Sequence, residues 1–226
     1  MEGLNHIAFI MDGNSTWASV NKKPAMEGYR KGMETMANTI ISAKELGIKY
    51  ATFYAFSSEN WRRPQKWVSE FMDLVIRFFK NDEFIRKVLN TGAKFKVIGD
   101  KSKLSSRFQS LIKKYEEETK DNDEIIVQIA ISYGGRDEIV RTVKKMAESG
   151  IEFSEENISD NLDTSGVPDP QLIIRTSDKK RLSNFLLWQA SYSEFYFSEL
   201  LWPDFNREEL EKAICEFSKR KRTYGG

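Results

Sequence analysis

One cysteine and one histidine in 226 residues remove several kinds of chemistry at the outset. Cys215 has no partner for an intramolecular disulfide, which fits a reducing compartment. His6 alone is too little for zinc–histidine catalysis or a histidine-based triad. Charge of one sign is also missing, because Lys+Arg 35 against Asp+Glu 34 leave a formal net charge of +1. Nucleic-acid binders carry a basic excess or stripe, so nucleic acid is not an expected partner. The one basic cluster, Lys219–Arg222, reads as a solvated helix end. No apolar run approaches the ~18 residues of a membrane span, and no basic segment precedes the short apolar run near the N-terminus. The expectation is a soluble, cytoplasmic protein. Dinucleotide and P-loop phosphate fingerprints are absent, as is a GxSxG nucleophile elbow.

What is present supports a substantial core: 40% hydrophobic residues and 12% aromatics, with no linker, repeat or low-complexity tract. Residues 1–226 therefore read as one domain. Strand-like runs alternate with helix-like ones. Strands are expected at His6–Met11, Tyr50–Phe56, Ala93–Ile98, Glu124–Ser132, Gln171–Arg175 and Glu194–Phe197. Helices are expected at Gly28–Leu46, from Pro64 through a Phe71, Leu74, Val75, Phe78, Phe79 face, at Ser102–Glu118, Asp137–Glu148, Phe185–Ala190 and Asn206–Arg222. The apolar face continues through Phe84, Ile85, Val88 and Leu89. Cys215, among Leu210, Ala213, Ile214 and Phe217, is expected to be buried and structural. Such alternation implies βαβ units: an α/β fold with a mainly parallel sheet of about six strands flanked by helices.

Charged groups at strand ends draw attention, because open α/β sheets bind ligands there. Asp12-Gly13-Asn14 follows the first strand, where glycine permits a tight turn and free N–H groups can hold phosphate. Asp12 suits Mg²⁺, a hard cation that prefers carboxylate and phosphate oxygens. The same tripeptide is also an ordinary turn. Ser57, Ser58, Glu59, Asn60, Trp61, Arg62 and Arg63 follow the second strand and form either an anion cradle or a capped loop. Arg175 closes an apolar strand and needs an anionic partner, with Arg181 and Ser183 close behind. Glu194 borders another short apolar run and either completes a metal site or pairs with an arginine.

At these residues the chain resembles the cis-prenyltransferase family, and within it the bacterial undecaprenyl diphosphate synthases. The likeness runs from His6–Asn14 through Tyr54–Trp61, Arg175-Thr176, Arg181–Gln189, Ser193–Phe197 and Leu201–Phe205 to Arg222–Gly226. It implies addition of isopentenyl diphosphate, in cis geometry, to an allylic diphosphate such as farnesyl diphosphate. It places Asp12 at the allylic diphosphate through Mg²⁺, with Gly13, Asn14, Ser15, Thr16, Trp17 and Tyr29 as neighbours. It gives Ser57, Ser58, Glu59, Asn60, Trp61 and Arg63 to the second motif, with Asn60 and Ser57 implicated in deprotonation or diphosphate relay. Arg175, Arg181 and Ser183 match the isopentenyl diphosphate site, and Glu194 a second metal-associated carboxylate. It further implies a hydrophobic tunnel along the Phe71–Leu89 stripe, a homodimer whose C-terminal segments reach the neighbouring site, and transient membrane contact on product release. Absence of DDxxD separates the chain from all-helical trans-type synthases.

Departures from the family pattern accompany the likeness. Thr16 and Ala25 stand where arginines are usual, Tyr29 where a histidine is, and Ser177-Asp178-Lys179 where the pattern has glycines and an acidic residue. Each lost contact to a charged diphosphate is worth about 1.5–3 kcal/mol. Three readings follow: an active enzyme with Lys22, Lys23, Arg30 or Lys31 compensating, a non-catalytic subunit that keeps the fold, or an active enzyme with altered donor preference or product length.

Overall fold

The computed structural model describes residues 3–81 and 83–220, without the side chains of Asn81 and Phe84. In chain order the elements are β1 (His6–Ile10), α1 (Asn14–Val20), α2 (Ala25–Glu45), β2 (Tyr50–Ser57), α3 (Gln65–Asn81), α4 (Glu83–Leu89), β3 (Ala93–Ile98), α5 (Ser106–Glu118), β4 (Ile125–Tyr133), α6 (Gly135–Ser149), α7 (Glu155–Asn161), β5 (Leu172–Arg175), β6 (Glu194–Phe197) and α8 (Arg207–Ser218). The strands form one sheet in the order β3-β4-β2-β1-β5-β6, and every neighbouring pair is parallel. Parallel pairing explains the continuous apolar runs, since helices and loops must cover both faces. β1 is buried at all five positions and lies between β2 and β5.

Register aligns the chemistry. Ile10 pairs with both Tyr54 and Arg175, and Ser57 pairs with Tyr133, so Asp12, the turn after Ser57, Arg175 and Gly134 share the carboxyl edge of the sheet. One face carries the main core, where Phe9 stacks on Phe53 with ring centroids 4.8 Å apart beneath Trp202 and Phe205. The other face holds a smaller cluster of Ala8, Ile10, Ile98, Ala130, Tyr133, Ile173 and Phe185.

Several expectations need correction. Phe185–Ala190 forms turns, not a helix, because Ser183, Asn184 and Leu186 take φ of 51°, 64° and 44°. Left-handed residues that close together cannot propagate a right-handed helix. α5 starts at Ser106, not Ser102: the Ser105 side chain caps it by accepting from Phe108 N–H, and Lys101–Lys103 form a separate 3-10 turn. α7 has no apolar stripe to announce it and rests on its Ser154 cap. Cys215 is exposed, because Leu210, Ala213, Ile214 and Phe217 turn the buried face of α8 away from it. α2 begins at Ala25, directly after Pro24. Part of the Lys219–Arg222 cluster and all of Arg222–Gly226 fall outside the described residues, as does the Phe84 side chain.

Candidate active site

The turn after β1 is built around Asp12. Its backbone N–H donates to Thr176 Oγ1 at 3.0 Å, and the same hydroxyl donates to the Asp12 carbonyl at 2.7 Å. Gly13 follows with φ 105°, and a Cβ there would sit 2.9 Å from the Leu201 side chain, so both conformation and space require glycine. The Asp12 carboxylate is split between two donors: Oδ1 accepts from Gly13 N–H at 3.0 Å, and Oδ2 from Arg175 Nη2 at 2.9 Å. The carboxylate remains 38% exposed, whereas the Arg175 side chain is 4% exposed.

Arg175 is the hinge between the two halves of the site. Beyond Asp12, its Nη1 donates to Ser183 Oγ at 2.8 Å and to the Arg181 carbonyl. Its Nε is buried with no hydrogen-bond partner among the described residues. A buried guanidinium with one exposed carboxylate for company has capacity left for an anion. Arg181 lies beside it, exposed, on the same cavity wall.

The second motif is a capped turn, as one of its two sequence readings proposed. Ser57 and Asn60 form a reciprocal capping box in which Asn60 Oδ1 accepts from Ser57 N–H at 3.0 Å. With its carbonyl so engaged, the Asn60 amide has its NH₂ left to offer. Arg63 stacks on Trp67 with its guanidinium carbon 4.1 Å from the ring centroid, and donates to the Tyr29 hydroxyl at 3.2 Å. That hydroxyl also shares a 3.0 Å hydrogen bond with Ser15.

These groups ring the mouth of a cavity of about 430 Å³. Asp12, Gly13, Asn14, Ser15, Thr16, Tyr29, Ser57, Asn60, Arg63, Arg175, Arg181 and Ser183 all line it. Its depth is apolar, walled by Met33, Met36, Phe71, Val75, Phe78, Phe79, Ile129 and Ile131. The helical stripe read from the sequence therefore does contribute wall, while Ile85 and Val88 belong to the core alone. A charged mouth over an apolar recess suits an amphipathic ligand with an anionic head.

Other sequence candidates sit elsewhere. Trp17 turns outward and donates from Nε1 to Asp204 at 2.7 Å. Trp61 donates to Ser132 Oγ at 2.9 Å and packs on Phe56. Ser58 donates to Glu59, and Glu59 accepts from Asn184 at 2.8 Å, so both lie behind the wall. Burial pushes the Glu59 carboxyl up, but hydrogen bonds from Asn184, its own N–H, Ser57 and Ser58 outweigh that and hold it below the usual range. Glu194 is separated from Asp12 within the chain: it opens β6 opposite Leu172, at the amino edge of the sheet, and pairs with Arg220 at 2.8 Å. Among the described residues no group of three or more His, Cys, Asp and Glu is placed to hold a metal ion.

The cations expected to compensate for Thr16 and Ala25 do not line the cavity. Arg30 is engaged by Glu27 and Glu34, Lys31 by Glu34, and Lys23 lies over the Trp17 ring. Ser177 and Asp178 are pinned away from it, donating from their backbones to Leu200 and Ser198. Sequence reasoning also missed Tyr54. Its ring stacks on Phe185 at 4.4 Å, and its hydroxyl donates to the carbonyls of Ser183 and Tyr133. Burial pushes that hydroxyl's pKa well up, keeping it a donor. A tyrosine inside an apolar strand gives no signal that its tip reaches a loop.

A family described as putative undecaprenyl diphosphate synthase matches residues 10–225. The isoprenyl transferase of Clostridium perfringens is 44% identical over 228 residues, covering 98% of this chain and 89% of that protein. The isoprenyl transferase of Rhizobium meliloti is likewise 44% identical, with 98% and 92% covered. Among solved structures, lavandulyl diphosphate synthase from Lavandula x intermedia, in complex with dimethylallyl diphosphate, superposes with a TM-score of 0.93 at 33% identity, covering 98% of each chain. A probable undecaprenyl diphosphate synthase from Campylobacter jejuni gives a TM-score of 0.84 at 38% identity, covering 100% of each chain. Full-length identity at this level, on the same six-stranded parallel sheet, bears out the resemblance seen in the motifs, and the chain belongs to the undecaprenyl diphosphate synthase family of isoprenyl transferases.

Proposed function

We propose that this isoprenyl transferase condenses isopentenyl diphosphate with an allylic diphosphate, farnesyl diphosphate being the expected donor, and repeats the addition in cis geometry to a long-chain polyprenyl diphosphate. The observation that carries the reading is the Asp12–Arg175–Ser183 cluster at the head of an apolar-walled cavity. The Gly13 turn, Ser57 and Arg63 would hold the allylic diphosphate, and Arg175, Arg181 and Ser183 the isopentenyl diphosphate. In the reaction the allylic C1–O bond breaks, the isopentenyl double bond attacks C1, and a proton leaves isopentenyl C2. Arginines aimed at the departing oxygens stabilise the charge that develops there. The free NH₂ of Asn60 makes that residue a donor to diphosphate, so the proton passes to a diphosphate oxygen. Each added unit buries more apolar surface along Phe71, Val75, Phe78 and Phe79.

Mg²⁺ fits the donor set as a shared cation. Asp12 is the one carboxylate on the described wall and is partly exposed, and Mg²⁺ commonly takes one or two carboxylates with water and substrate phosphate. When bound there it would neutralise diphosphate charge. Glu194 would join such a site only from another copy of the chain, in keeping with the expected homodimer. No described helix is long and apolar enough to cross a membrane. A product this apolar would leave through transient membrane contact by a cytoplasmic enzyme, feeding a cell-envelope carrier lipid.

A non-catalytic subunit is the second reading, favoured by one observation: Thr16 lines the cavity and none of Lys22, Lys23, Arg30 or Lys31 does. Purified protein given Mg²⁺, farnesyl diphosphate and isopentenyl diphosphate should release inorganic diphosphate, and mass spectrometry of the extract should give the chain length. Silence beside an active control enzyme in the same buffer selects the non-catalytic reading.

A further inference from the structure

Asn184 lines no part of the cavity, yet all its side-chain polar atoms are used. It follows Ser183 in the loop after β5 and sits in the left-handed region at φ 64°. Its Nδ2 donates to Glu59 Oε1 at 2.8 Å, across 125 residues of sequence. Its Oδ1 accepts from Arg136 N–H at 3.0 Å, and its backbone carbonyl from Gly135 N–H at 2.7 Å, which fixes it to the first turn of α6. The junction has no slack. A Cβ on Gly134 would lie 2.4 Å from Ser58 Oγ and 2.7 Å from Asn184 Nδ2, so only glycine lets the three segments meet.

Each wall segment has its own local anchor as well. Ser57 and Asn60 cap one another, and Ser183 is held by Arg175 and Tyr54. The Glu59–Asn184 bond is therefore not needed to shape either segment. What it adds is a rigid link between them. We propose that Asn184 is a positioning residue that ties the Ser57–Arg63 turn to the Arg181–Ser183 loop, so that filling one diphosphate subsite tightens the other. The proposal rests on the assignment of those two segments to the two diphosphates. Coupling of this kind is reciprocal, because each ligand must change the affinity for the other by the same factor.

Titration calorimetry with Mg²⁺ tests it. Isopentenyl diphosphate is titrated into the full chain alone, and into the chain saturated with an unreactive farnesyl thiodiphosphate. Wild-type protein should show affinities differing by about fivefold or more, the lower end of usual coupling. Glu59→Ala should reduce that ratio below about twofold, while Glu59→Gln, which keeps an accepting oxygen for Asn184, should retain it. Asn184→Ala should abolish the ratio too, and combining it with Glu59→Ala should lower the ratio no further, since both remove the Glu59–Asn184 bond, although Asn184→Ala also frees Arg136 N–H. A Glu59→Ala protein that keeps the full ratio, or a wild type with no ratio, overturns the proposal. Failure of the wild type to bind either diphosphate overturns the functional reading instead.

Discussion

Two buried charged side chains, Glu138 and Arg175, behave oppositely in this fold. Around Glu138, fully buried at 0% exposure, every carboxylate oxygen is taken: Tyr133 Oη donates at 2.5 Å, Gln189 Nε2 at 3.1 Å and Asp163 N–H at 3.0 Å. Burial pushes that carboxyl up, with the hydrogen bonds opposing, and Glu138 does not line the active-site cavity. Around Arg175 the bonding is incomplete. One guanidinium nitrogen is unpartnered, the facing carboxylate is partly exposed, and both open onto space. Residue types alone do not separate the two groups. Gln189 Oε1, at the edge of the Glu138 group, is also unpartnered, so it is the charged centre that separates the two. A buried charge with every oxygen partnered specifies structure, whereas one left with a spare donor at a cavity is equipped to take a ligand.

The sharpest way to break this contrast is to delete one carboxylate from each group. Asp12→Ala should lower kcat/KM by about 10²–10³-fold or more, the scale for losing a preorganised electrostatic contact, with the folded state retained. Steady-state diphosphate release measures it, and turnover that survives would remove Asp12 from the chemistry. Glu138→Ala should do the reverse. It strands donors from Tyr133, Gln189 and Asp163, at about 1–3 kcal/mol each, so unfolding in urea should come about 3 kcal/mol or more easier, with turnover per folded molecule kept.

His6 resembles Glu138 in having each of its polar side-chain atoms engaged. Its Nδ1 lies 2.5 Å from the Pro168 carbonyl and its Nε2 2.8 Å from the Thr52 hydroxyl. Burial, opposed by the Pro168 bond, pushes its pKa down to about 4. The unfolded chain therefore binds more protons than the folded one between about pH 6.5 and 4. Stability contributed by this group is full above pH 6.5 and is lost as the pH falls through that window, by about 3 kcal/mol in all. Replacing His6 with Gln should flatten that part of a stability–pH curve; an unchanged curve would assign the acid sensitivity to other groups.

The smallest effect sharpens the open group. Tyr29→Phe removes the hydroxyl that meets Ser15 and Arg63 but keeps the ring against Trp67 and Phe71. A hydrogen bond of this kind is worth about 1 kcal/mol, so KM for the allylic diphosphate should rise roughly fivefold with kcat little changed. A kcat loss with KM intact would place Tyr29 in the chemical step.

Much of this arrangement was legible. Ala93–Ile98 and Glu194–Phe197 have the boundaries that apolar runs gave them, and Asp12 meets Arg175 because one follows β1 and the other closes β5, strands that pair side by side. What escaped notice was direction. Trp17 and Trp61 lie in the right segments but point to Asp204 and Ser132 instead of the cavity, and no local pattern decides which way a loop side chain turns. Glu194 is more instructive. In a parallel sheet a residue that opens a strand lies at the edge opposite one that closes its neighbour, so its distance from Arg175 was already implied by the topology. The turns from Ser183 to Leu186 escaped because their left-handed backbone is set by contacts with Arg175 and with Gly135, the latter far away in sequence.

The turn at Asp12 leans on the far end of the polypeptide: Trp202 N–H donates to the Asp12 carbonyl at 3.0 Å, and Leu201 packs over Gly13. Residue 12 is thus held in shape by a residue about 190 positions later in the sequence. The Asp12 carboxylate therefore lacks its full scaffold until the segment after β6 has docked on the turn. Assembly of this turn is thereby tied to completion of the fold.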